Sequence, residues 1–178
     1  DLTPEMLRND LSPDRLSRAK FKLHDLLQHH DAGQFGLVVY TGEPFVVSQL
    51  TDDGQPIDAL LSSLSPSIMP VDGNRLDRAL DQASELIKQA GSQTGQILVF
   101  TPQSPSPSAI NTAKALAHHG IDTSIIPVLS KQPPSTSFKR LAAAGHGHVI
   151  EFTDTTSDID QWLAISHANQ RYGVNLQN

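Results

Sequence analysis

From Gly95 onward the chain alternates, with little spare length, between short apolar runs and stretches of helical period. Ile97-Leu98-Val99-Phe100 is an uninterrupted apolar run bounded by Gly95 and by a Pro/Ser tract, Pro102 to Ser108, which reads as a strand over 96–101 buried on both faces. A helix over 106–119 stopped by Gly120, a strand over 121–129, a helix over Phe138–Ala144, a strand over 148–152 and a helix from Ser157 follow. Strands alternating with helices of this length imply a mainly parallel sheet, with the helices covering both of its faces. Few other architectures accommodate that order.

The first half fits the same plan with one variation. Phe35–Tyr40 reads as a buried strand, Thr41-Gly42-Glu43-Pro44 as a turn and residues 45–49 as the returning strand, so one antiparallel edge is expected. Ser12-Pro13-Asp14 marks a helix start, with Ser12 as cap and Pro13 in the first position; Leu16, Ala19, Leu23, Leu26 and Leu27 then share a face. Arg15, Arg18 and Lys22 fall on another face, read as solvated. A short helix is expected around Ile57–Leu64. Asp72-Gly73-Asn74 opens the most regular helix, where Leu76, Ala79, Leu80, Ala83, Leu86, Ile87 and Ala90 form one stripe before Gly91. The fold class is therefore α/β: a doubly wound, mainly parallel sheet between two helical layers, with residues 1–178 as one domain.

Catalytic signatures are sparse. The chain has no cysteine, which excludes disulfides, thiolate metal sites and thiol catalysis. It holds no phosphate-binding glycine loop, nucleophile elbow or zinc-protease motif. The doublets His29-His30 and His118-His119 fall at helix ends, where an imidazole can meet free carbonyls; His146 and His148 flank Gly147 just before a strand. Ser104, Ser106 and Ser108 read as turn and capping residues, and Trp162 as a core anchor. A formal charge of −6 speaks against nucleic acid as a partner. Apolar runs such as Phe35–Tyr40 are far too short to cross a membrane.

Several segments resemble the von Willebrand factor A domain. They are Asp1-Leu2-Thr3-Pro4-Glu5-Met6, Leu11 to Leu16, Phe35 to Gly42, Phe45-Val46-Val47, Leu50 to Asp53, and Ser67 to Leu76. Together they look like the bacterial Bat group of aerotolerance-operon, MoxR-associated proteins, and most like its BatB type. The resemblance implies a metal-ion-dependent adhesion site in which three loops hold Mg²⁺ through hard oxygens. Carried over by position, the first Asp is Asp1, the first Ser is Thr3, the second Ser is Glu5, the Thr is Asn74 and the last Asp is Pro102. Proline has no donor atom, so the expected site is degenerate, with Mg²⁺ bound weakly or not at all. The resemblance also implies an apolar central strand running into Asp1. Without it, strands 35–40 and 96–101 should not be bonded to each other, and the gap between them needs filling from elsewhere in the chain, a second copy or an upstream strand.

The function so implied is that of a non-enzymatic protein-interaction module of a bacterial inner-membrane protein. The domain would lie in the periplasm, with membrane helices flanking it and other Bat proteins or MoxR-associated components as partners. Contact is expected through Asp1, Thr3, Glu5, Asp72, Asn74 and Gln103, within loops 1–6, 72–75 and 102–106. The alternative is a Rossmann-like or flavodoxin-like nucleotide-binding enzyme, whose phosphate cradle would have to be Asp72-Gly73-Asn74, beside a repelling carboxylate.

Overall fold

A computed structural model describes residues 1–29, 33–130 and 134–174. Its elements are α1 (Arg15–Leu27), β1 (Phe35–Tyr40), β2 (Pro44–Thr51), α2 (Gln55–Leu61), α3 (Leu76–Gln89), β3 (Gly95–Thr101), α4 (Pro107–Ala117), β4 (Ile121–Pro127), α5 (Thr136–Ala144), β5 (His146–Val149) and α6 (Ser157–Val174), with single 3₁₀ turns at Pro4–Leu7 and Pro66–Ile68. β1 and β2 form an antiparallel hairpin in which Tyr40 faces Pro44 and Phe35 faces Thr51. β3, β4 and β5 are parallel, in that order. β2 is an antiparallel edge strand, as its sequence implies.

Strand side chains alternate between two apolar layers, which fixes the helices to opposite faces. Val39, Phe100 and Ile126 enter one layer with Leu16, Ala19, Leu26 and Leu27 of α1, Ile57 and Leu61 of α2, and Ile159, Trp162 and Leu163 of α6. Tyr40, Val99 and Ile125 enter the other with Leu76, Leu80 and Ile87 of α3, Ala113 and Leu116 of α4, and Phe138 and Leu141 of α5. The α3 stripe does what its period demands: Leu80 is fully buried. The result is a three-layer α/β/α sandwich.

The middle layer is not continuous. β1 and β3 belong to separate sheets. Among the described residues, backbone hydrogen bonds connect them through a shared segment at their carboxyl ends, where the Leu2 N–H donates to the Tyr40 carbonyl (2.9 Å) and the Asp1 nitrogen to the Phe100 carbonyl (3.1 Å). The lack of a lateral neighbour shows in the burial. Leu37, Val38 and Leu98 are only half-buried, whereas Ile125 and Ile126 of β4, flanked on both sides, are fully enclosed. The expected gap is present, and within the described residues only Asp1 and Leu2 reach into it.

Some boundaries differ from the sequence reading. α1 starts at Arg15, capped by Asp14, whose carboxylate accepts from the Ser17 N–H and hydroxyl (2.7 and 2.9 Å); Ser12 does not cap it. α2 ends at Leu61 rather than 64, α4 at Ala117 rather than 119, and β4 at Pro127 rather than 129. β5 runs over His146–Val149 rather than 148–152, because Gly147 lets its backbone lie against Thr123: a Cβ there would come 1.9 Å from the Thr123 carbonyl oxygen. The expected solvated face of α1 is the clearest miss. Arg15 and Lys22 are 5% and 4% exposed. Distant segments bring each a carboxylate: Asp10 to Arg15 at 2.7 Å, and Asp158 to Lys22 at 2.9 Å. Asp154 meets Arg18 at 2.6 Å.

The Lys22–Asp158 pair ties α1 to the start of α6, and Asp158 also accepts the Thr153 and Ile159 N–H groups. Removing one partner of a buried pair strands the other's charge, at a cost of about 3–5 kcal/mol. Asp158→Ala is therefore expected to lower the urea-unfolding free energy by about that much, and Lys22→Met in the same chain to recover part of the loss. A loss below about 1 kcal/mol for Asp158→Ala would show that the pair does not hold the layer.

Candidate functional site

At the carboxyl ends of β1 and β3 three loops meet: residues 1–6, 71–75 and 101–106. Asp1 is held from both ends. Its buried backbone nitrogen donates to the Phe100 carbonyl (3.1 Å). One carboxylate oxygen accepts the Thr3 N–H (2.7 Å) and the other the Thr101 hydroxyl (2.6 Å). Thr101 Oγ1 in turn accepts the Gln103 N–H at 3.1 Å.

A second chain of bonds crosses all three loops. Gln103 Nε2 donates to Thr3 Oγ1 (2.6 Å), and Gln103 Oε1 accepts from Asn74 Nδ2 (2.7 Å). Thr3 is buried, Gln103 half-buried and Asn74 exposed. The fold thus brings Asp1, Thr3, Asn74 and Gln103 into one network. Asp72, also exposed, lies on the adjacent backbone at the rim.

Glu5 is drawn away from this group. Its carboxylate lies 3.2 Å from Arg8 and 3.7 Å from Arg15. Pro102 is buried and offers no side-chain donor. Mg²⁺ requires about six oxygens in near-octahedral array. Here both Asp1 oxygens and the Thr3 hydroxyl oxygen already accept hydrogen bonds from the protein, Asn74 turns its amide nitrogen toward Gln103, and Glu5 forms ion pairs elsewhere. Among the described residues there is no group of three or more His, Asp or Glu side chains arranged to hold a metal. The residues present do not make a fitting Mg²⁺ shell.

The start of α3 is not a phosphate cradle either. The Arg75 N–H donates to the Thr41 carbonyl (2.8 Å), and the Gly42 N–H and Thr41 hydroxyl both donate to the Val71 carbonyl (3.0 and 2.5 Å). Gly42 and Gly73 make this close approach possible. A Cβ on Gly42 would lie 2.3 Å from the Asp72 carbonyl oxygen, and Gly73 has φ of +137°. The glycine of Asp72-Gly73-Asn74 therefore serves backbone packing against the β1–β2 turn.

Two parts of the site escaped the sequence reading. Thr101 had no partner visible in sequence, since Asp1 is a hundred positions away. Arg15 and Asp10 set the 3₁₀ turn: Arg15 donates to both Asp10 oxygens (2.7 and 2.9 Å) and to the Glu5 carbonyl (3.2 Å). Elsewhere, Ser106 caps α4 through the Ala109 N–H (3.2 Å), and Ser104 meets Ser135 at 2.7 Å. His119 Nδ1 lies 2.8 Å from the Ala115 carbonyl at the end of α4, while His30 falls outside the described residues. Trp162 is buried in the first layer.

The sequence profile of the von Willebrand factor type A domain matches residues 1–104. No curated protein is matched. Among solved structures, the chain is similar to the conserved hypothetical protein BatB from Bacteroides thetaiotaomicron, at 22% identity and a TM-score of 0.82, covering 96% of each chain. It is similar to an aerotolerance-related membrane protein from Bacteroides fragilis at 21% identity and a TM-score of 0.77, covering 96% of this chain and 94% of that one. The SpRpn10 VWA domain follows at 18% identity and a TM-score of 0.69, with 90% of each chain covered. At these identities the structural likeness speaks for the fold.

The Arg15 guanidinium holds the Asp10 carboxyl near 2, below its usual 3.8, chiefly by direct hydrogen bonds. A depressed carboxyl pKa adds stability that is complete above the unfolded value and fades as pH falls through the folded one. The stability difference between the native chain and Asp10→Asn is therefore expected to be flat from roughly pH 7 to 5 and to shrink between roughly pH 4 and 2. Denaturant titrations across that range measure it, and a difference independent of pH would contradict the assignment.

Proposed function

The chain belongs to the von Willebrand factor type A domain family, and from that membership we propose a non-enzymatic interaction module that docks a protein partner through its loop crown without a bridging metal. The observation that carries this reading is the closed hydrogen-bond network of Asp1, Thr3, Asn74, Thr101 and Gln103, which engages the Asp1 carboxylate and Thr3 hydroxyl oxygens that a cation would need. A crown already satisfied internally presents a fixed surface, so little ordering cost falls on binding. Around it Asp72, Asn74 and Ser104 are exposed polar groups, while Leu7 (55% exposed) and Val71 (40%) supply apolar contacts at the rim. Such a mixed polar and apolar surface suits a protein partner.

The partners in this reading are other Bat-type proteins or MoxR-associated components. The setting is a bacterial inner membrane, with flanking membrane helices and this domain in the periplasm. No helix among the described residues is long and apolar enough to cross a membrane, so anchoring would fall to segments outside them. The likeness to BatB and to an aerotolerance-related membrane protein supports this setting. The backbone contacts that fill the start of α3 weigh against a nucleotide-binding enzyme.

Affinity for a purified Bat-type partner, read by interferometry with the domain immobilised, tests the proposal. The dissociation constant is expected to agree within about twofold between EDTA and Mg²⁺ buffers, and Asp72→Arg to weaken it by about tenfold or more, close to 1.4 kcal/mol. Binding that vanishes in EDTA, or that ignores Asp72→Arg, contradicts it.

A further inference from the structure

We propose that the side-chain carboxamide of Gln103 takes the place of a cation at the crown, acting as the positioning residue that clasps three loops into one arrangement. The inference rests on reading the crown as the docking surface. Thr3 belongs to the amino-terminal segment, Asn74 to the lead into α3 and Gln103 to the exit from β3. Apart from the β1–β2 turn, which ties only the α3 lead, the side-chain bonds joining these three segments run through Gln103 and Thr101. A divalent ion joins loops by drawing several oxygens to one point. A carboxamide joins them differently, because it carries a donor and an acceptor on one rigid plane. Gln103 donates to the Thr3 hydroxyl oxygen and accepts from the Asn74 amide. Flipping both amides and turning the Thr3 hydroxyl closes the same chain in the opposite sense, so the clasp does not depend on which amide atom is which.

This division of labour also explains how Pro102 can stand where a ligand carboxylate would. The carboxylate is not needed when the next residue supplies a neutral bridge, and Pro102 itself is buried, which holds the exit from β3 stiff beneath Gln103. Asp1 then keeps both oxygens on donors of the protein and needs no counter-ion. Replacing the carboxamide by a carboxylate reverses that balance. It removes the Nε2 donor to Thr3 and adds a second negative charge to the network around Asp1, a combination that hard cations favour.

Gln103→Glu and Gln103→Ala test the clasp on the isolated protein, with no partner present, so the result stands apart from the docking reading. The native chain is expected to melt at the same temperature in EDTA and in about 10 mM MgCl₂. Gln103→Glu should melt lower than the native chain in EDTA and rise by about 3 °C or more when Mg²⁺ is added. Gln103→Ala should show no response to Mg²⁺ and at least about tenfold faster amide exchange over residues 1–7 and 72–77, with exchange in β4 unchanged. A native melting temperature that rises with Mg²⁺, a Gln103→Glu chain indifferent to Mg²⁺, or unchanged exchange in Gln103→Ala would each overturn the proposal.

Discussion

Two backbone hydrogen bonds from the segment Asp1-Leu2 align the ends of β1 and β3. Leu2 donates to Tyr40 at the end of β1, and Asp1 donates to Phe100 at the end of β3. Successive residues donating to opposite neighbours is what an extended segment does between two strands. Here the hairpin and the parallel sheet meet through backbone hydrogen bonds to a shared segment. Each bond is worth only about 1 kcal/mol net. Their importance is positional, since the apolar layers on either face already hold β1 and β3 side by side. The bridge fixes how those strand ends are aligned, and with them the loops that leave them.

The crown follows from that alignment. With its nitrogen on Phe100, Asp1 can place its carboxylate only between its own next turn and the end of β3, where Thr3 and Thr101 receive it. Thr3 is then within reach of Gln103, and Gln103 of Asn74. Arg15 completes the arrangement from below by taking the Glu5 carbonyl and lying beside its carboxylate, which turns the second acidic residue of the loop away from the first. Two carboxylates that could have shared a cation are instead separated, one on neutral donors and one on guanidinium groups. The crown's order comes from the protein's own groups.

Much of this fold was legible in the sequence because it rests on local signals. Strict helical period placed α3, the Pro/Ser tract placed the end of β3 and the cap of α4, and the short turn after Tyr40 placed the hairpin. Where the reading failed, a distant partner had decided the outcome. Arg15 and Lys22 look like solvent-facing charges on a helical wheel, and only tertiary contact with Asp10 and Asp158 makes their burial tolerable. Asp14 outcompeted Ser12 as cap of α1, while Arg8 and Asp10 met Arg15 at its first turn. The site was half legible: the positions to inspect could be named by resemblance, but no spacing rule links Gln103 to Thr3 or Thr101 to Asp1. Those pairs exist only after the two sheets align.

The account's central claim is that the crown is ordered by internal hydrogen bonds centred on Gln103 rather than by a divalent ion. The most direct measurement is an anomalous difference map from crystals of the protein soaked in MnCl₂. The account predicts no manganese peak among Asp1, Thr3 and Asn74, with the Gln103 carboxamide still bridging Thr3 and Asn74. A strong peak coordinated by Asp1 and Thr3, with Gln103 swung out of the network, would contradict it.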